Sequence, residues 1–152
     1  MIEKLGALRT RLEPAALLFL RLVVGVVMIA HAYLKITEFD EWIGHLRHMG
    51  IPAPGFSIYV AIAGELFGGI GVLLGAFTPA AALAIAGSMT TAILFTHLKN
   101  GLFGKDGGFE YPLTMLATVL FLAMHGPGPW SVDGMRRRKA TGDRKQATGN
   151  GQ

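Results

Sequence analysis

The chain has 152 residues, enough for one domain, of which 51% are hydrophobic and 16% charged, with a mean hydropathy of +0.45. That balance is too apolar for a soluble domain and indicates an integral membrane protein. The net charge of +4 and pI near 9.7 therefore point to anionic lipid rather than nucleic acid. With no cysteine, disulfides, thiolate metal sites and dithiol relays are excluded within the chain.

Residues 1–14 form a short polar segment carrying Lys4, Arg9 and Arg11, and Pro14 suits the first turn of a helix. Span one is expected over about residues 15–34, near the ~20 residues a bilayer requires. It contains Arg21 and, near its far end, His31, with Lys35 placed to snorkel. The run is longer than a signal-peptide core and is interrupted by Arg21, so it reads as a retained span. Residues 36–54 are too polar to cross. Phe39, Trp42, Ile43, Leu46 and Met49 nevertheless recur at helical spacing, which predicts a short amphipathic helix in the interface.

Span two is expected over about residues 56–77. It contains Glu65 and two small-xxx-small patterns, Gly64/Gly68 and Gly71/Gly75, that allow close helix approach and leave self-association open. Thr78-Pro79 is a tight turn. Span three follows over about residues 80–96, with Ala80, Ala84, Ser88 and Ala92 as a small-residue stripe and His97 at its end. The glycine-rich stretch 98–110 reads as a loop, and span four covers about residues 111–124. The basic tail, 135–152, is expected to be disordered.

The expected fold is therefore all-α: a four-transmembrane-helix bundle over residues 15–134 with short loops and one interfacial helix. Lys and Arg outside the spans number nine on the side of the termini and four on the other, which places both termini in the cytoplasm of a bacterial-type inner membrane.

On that topology Arg21, His31, Glu65, His97, Glu110 and Tyr111 collect in the outer half of the bundle. Depth estimated at ~1.5 Å of rise per residue puts Arg21 and Glu65 about one turn apart, so the two are expected to pair. Either the pair fixes helix register or the cluster faces a ligand. His45 and His48 read as a solvated face rather than a metal site.

Several runs of this chain resemble the DoxX family of small four-helix membrane proteins. They are Arg21, Gly25 and His31-Ala32-Tyr33-Leu34-Lys35, then Glu65 with Gly68-Gly69. Thr96-His97-Leu98-Lys99-Asn100-Gly101-Leu102-Phe103 and Gly107-Gly108-Phe109-Glu110-Tyr111-Pro112-Leu113 follow, then Gly126-Pro127-Gly128. Ala32 and Leu102 depart from the family pattern at two small positions. The resemblance implies redox work at the membrane, linked in some relatives to quinone and in others to oxidative stress.

A quinone is accordingly the expected cofactor. His31, His97 or Tyr111 would donate to a carbonyl oxygen, Arg21 would stabilise negative charge, and Glu65 or Glu110 would pass protons. Electrons would come from a redox partner protein or a bound cofactor. A b-type haem between His31 and His97 is disfavoured because both lie near the surface. The alternative is a non-catalytic membrane scaffold that docks redox or stress-response partners.

Overall fold

A computed structural model describes the backbone of residues 2–149 and the side chains of residues 6–142. The described chain is helical throughout, and three helices are long and apolar enough to cross a membrane. The first, α1 (Ile2–Thr37), starts well before the expected position and runs through Pro14. Proline removes one N–H and crowds the carbonyl four residues earlier. Here that carbonyl belongs to Thr10, in an exposed stretch where water can take the place of the missing donor.

Helix α2 (Phe39–His48) is the expected amphipathic segment: Leu46 is buried, and Asp40, Glu41 and Arg47 face out. Helix α3 (Pro54–Leu74) ends at Gly75, whose φ of +64° reverses the chain. Helix α4 (Thr78–Thr91) runs on into a π-helical turn, Ala92–His97, and a 3-10 turn, Leu98–Asn100. Helix α5 (Glu110–His125) has 16 residues, short of the ~20 of an ordinary span.

Helices α1, α3, α4 and α5 share one core, in which Leu17, Val24, Met28, Val72, Ile85, Val119 and Leu122 interlock. Glycine sets the spacing. A Cβ on Gly25 would lie 2.7 Å from Leu73 Cβ and 2.9 Å from Gly69 O, so α1 and α3 touch backbone to backbone. One on Gly68 would lie 2.9 Å from Ala81 O, which does the same for α3 and α4. The buried face of α4 is Ala81, Ala82, Ile85, Ala86 and Met89, one position round from the expected stripe; Ala80 and Ala84 are exposed. Phe19, Phe56, Phe67 and Met124 project outward with more than two-thirds of their surface exposed, as lipid-facing side chains do.

The basic segment expected to be disordered leaves the bundle as helix α6 (Val132–Gly149). Ser131 initiates it: its hydroxyl accepts a hydrogen bond from Gly134 N–H at 2.9 Å, an N-cap arrangement.

Candidate functional site

The expected Arg21–Glu65 pair does not form. Cα–Cβ bonds tilt toward a helix's N-terminus, so Arg21 extends away from the Glu65 level and toward the C-terminal end of antiparallel α3. There its Nε donates to Val72 O (3.1 Å) and Nη2 to Leu73 O (3.1 Å), while Nη1 donates to Pro127 O (2.8 Å) and Trp130 O (2.9 Å). The guanidinium thus donates to carbonyls in the last turn of α3, where Val72 O also accepts from Gly75 N–H, and ties them to the loop after α5. Arg21 is 2% exposed and committed to four backbone acceptors.

Gly75 completes this junction. A Cβ there would collide with Ser131 Cβ and lie 3.0 Å from Arg21 Cζ, and Gly75 O accepts from Asp133 N–H at 2.9 Å. The Asp133 carboxylate then caps α4, accepting from Phe77 N–H (3.0 Å), Thr78 N–H (2.9 Å) and the Thr78 hydroxyl (2.9 Å). Desolvation pushes that carboxyl up. The three hydrogen bonds and the nearby Arg136 charge outweigh it and hold Asp133 below the ordinary carboxylate range.

Glu65 is paired with Lys35 instead. Lys35 does not snorkel; the same tilt turns it back into the bundle, where Nζ donates to Oε1 at 2.9 Å and Oε2 at 2.7 Å. Both residues are buried, and Trp42 of α2 covers the ammonium, with Nζ 4.6 Å from the ring centroid. Beside the pair, His31 stacks on Tyr111 at 5.7 Å between centroids and 11° between planes. His31 Nδ1–H donates to Val27 O at 2.9 Å, which leaves Nε2 with the lone pair in the neutral ring.

His97 and Glu110 make other contacts. His97 Nδ1 bonds Gly107 O at 2.6 Å, and Asn100 Nδ2 donates to the same oxygen at 3.1 Å, closing the 98–109 loop on itself. The exposed Glu110 carboxylate lies against Gly104. Among the described residues neither hydrogen-bonds to or stacks on His31, Glu65 or Tyr111; of the expected residues the structure groups His31, Glu65 and Tyr111, with Lys35 and Trp42 beside them. No metal-binding cluster of three occurs among the described residues.

Lys35 and Trp42 are the members that sequence reasoning missed. A signal was present, because Met28, Ala32 and Lys35 fall on one buried face of α1 at helical spacing.

Apolar helices around an ion pair sealed from water define a helical integral membrane protein, and its charged centre lies between two spans. The chain belongs to the DoxX family, whose sequence profile matches residues 16–98. It is 31% identical over 139 residues to "Uncharacterized membrane protein Rv3486" of Mycobacterium tuberculosis, covering 84% of this chain and 85% of that one. It is also 31% identical over 131 residues to "Inner membrane protein YqjF" of Escherichia coli, covering 85% and 98%. To "Putative oxidoreductase CatD" of Bacillus subtilis it is 29% identical over 109 residues, 72% and 78% of the two chains. No solved structure matches. These relatives and the apolar helices make this a bacterial membrane protein.

Proposed function

We propose that this chain is the membrane subunit of a quinone-linked redox system, and that a quinone headgroup docks from the lipid against the His31–Tyr111 stack. The observation that carries the reading is that stack: Tyr111 is 42% exposed on the bundle surface, yet its ring lies flat on His31 beside the buried Lys35–Glu65 pair. A planar ring that slides in from the bilayer meets an aromatic face, a phenol donor and an imidazole Nε2 that accepts a proton. The Lys35–Glu65 pair holds charge close by without exposing it. Arg21, saturated by carbonyls, has no part in the site. Electrons pass to or from a partner protein or a bound cofactor, since the chain has no cysteine to carry them. The name of the Bacillus relative agrees with redox work. In this reading α5 is the fourth span, and both termini face the cytoplasm.

Quenching of Trp42 fluorescence in a Trp130→Phe background tests the site, with a short-chain quinone added to protein in neutral detergent. Saturable quenching is expected, weakened about fivefold to tenfold by Tyr111→Ala through loss of the aromatic face. Equal affinity in Tyr111→Ala and His31→Ala would sink the site. Stable protein partners with no quinone retained would favour the scaffold instead.

A further inference from the structure

At the opposite end of the bundle α1, the loop after α5 and α6 enclose a cavity of about 270 Å³, lined by Glu13, Leu17, His125, residues 126–129, Gly134 and Arg137. Its walls are held rigidly. Arg21 pins the loop through Pro127 O and Trp130 O. A Cβ on Gly128 would lie 2.8 Å from Leu17 Cδ1, and one on Gly134 would lie 2.5 Å from Gly128 O. The main chain that forms the floor of the cavity is therefore fixed by the fold, while Glu13, His125 and Arg137 line it with exposed side chains.

Its chemistry is amphiphilic. His125 Nε2 lies 3.1 Å from Glu13 Oε1, which engages one oxygen of that carboxylate, and Arg137 is the basic side chain in the lining. Arg136 before it and Arg138 and Lys139 after it on the same helix keep the local field positive. Phe121 stacks on His125 at 5.0 Å between centroids, Leu12 and Met124 adjoin Glu13 and His125 in the chain, and all three are exposed apolar side chains. Trp130, also exposed, is the residue type that settles at headgroup level.

We propose that this cavity seats the phosphate headgroup of an anionic glycerophospholipid, with its acyl chains lying along Phe121 and Met124. A soluble anion has no use for the apolar rim, and a zwitterionic headgroup gains less from Arg137. The volume is below the roughly 300–1,000 Å³ of sites that take whole drug-sized ligands, which suits a headgroup alone. Basic pockets beside membrane helices bind anionic headgroups in this way. The site is separate from the His31–Tyr111 stack and stands whether or not quinone binds there.

The test is native mass spectrometry of the full chain in neutral detergent, with equimolar phosphatidylglycerol and phosphatidylcholine. Preferential retention of phosphatidylglycerol is expected. Arg137→Ala should lower the bound fraction about fivefold, the effect of one basic residue at an anionic surface. Arg138→Ala, one position on and outside the cavity lining, removes the same surface charge and should weaken retention less than Arg137→Ala does. Equal retention of both lipids, or equal loss in the two arginine variants, overturns the proposal. Displacement of phosphatidylglycerol by an equal concentration of free glycerol phosphate overturns it too, because the site would then serve a soluble phosphate.

Discussion

Lys35 Nζ lies 2.7 Å from Glu65 Oε2 with both side chains nine-tenths or more buried, so α1 and α3 are joined by an ion pair inside a membrane protein. Removing one partner strands the other. Glu65→Gln or Lys35→Met should destabilise the protein by about 3–5 kcal/mol, whereas the double apolar replacement Lys35→Met/Glu65→Leu should recover most of the loss. Unfolding by titration of a denaturing detergent measures all three. If the single and double variants lose stability additively, the pair is not coupled.

Arg21 serves four carbonyls with a forked, planar cation, which an ammonium cannot imitate. Arg21→Lys should therefore behave almost as badly as Arg21→Ala, each stranding carbonyls such as the buried Pro127 O, at about 1–3 kcal/mol for each one left unpaired. Size-exclusion chromatography after mild extraction checks this. A monodisperse Arg21→Lys protein of wild-type stability would contradict it.

Asp133 gives the bundle an acid limb. Its folded-state pKa lies below the ordinary value of about 3.9, so its stabilisation is complete above that value and is lost as pH falls through the folded value. Thermal unfolding followed from pH 6 down to pH 2 should steepen below about pH 4. Asp133→Asn should lose about 1 kcal/mol near neutrality, as loss of a cap does, and show a shallower acid limb. An unchanged acid limb in Asp133→Asn refutes the assignment.

Glycines at contacts and glycines in open space should respond with opposite signs. Gly25→Ala drives a methyl into Leu73 and the Gly69 carbonyl and should cost about 1–3 kcal/mol. Gly87→Ala, on the outer face of α4 with nothing within 4 Å, should stabilise by about 0.5–1 kcal/mol. The same detergent titration reads both.

The three long spans and α2 were legible in the sequence because apolar blocks and a helical period leave few alternatives. The partner of Glu65 was not. Depth estimates place residues at their Cα atoms, while Arg21 and Lys35 reach about a turn toward the N-terminus of α1 before meeting anything. Backbone carbonyls at the end of α3 also compete for a buried cation, and no side-chain inventory lists them. The same blind spot hid the role of Asp133, whose acceptors are answered by main-chain N–H groups of the α3–α4 turn. Helix α6 was missed because a lone Ser131 cap outweighs a composition that reads as solvated tail.

The π-helical turn at Ala92–His97 has a consequence for chain length. Such a turn commonly absorbs one residue more than a straight α-helix would hold over the same rise. Deleting a single residue there, such as Leu94, should let the turn relax to regular helix while Met89 stays in the core and His97 stays beside Gly107. Deleting one residue between Glu65 and Gly75 has no such slack to draw on. It would rotate the carboxylate by about 100° out of reach of Lys35. The bundle therefore tolerates a shortened sequence at one end of α4 and demands exact spacing along α3.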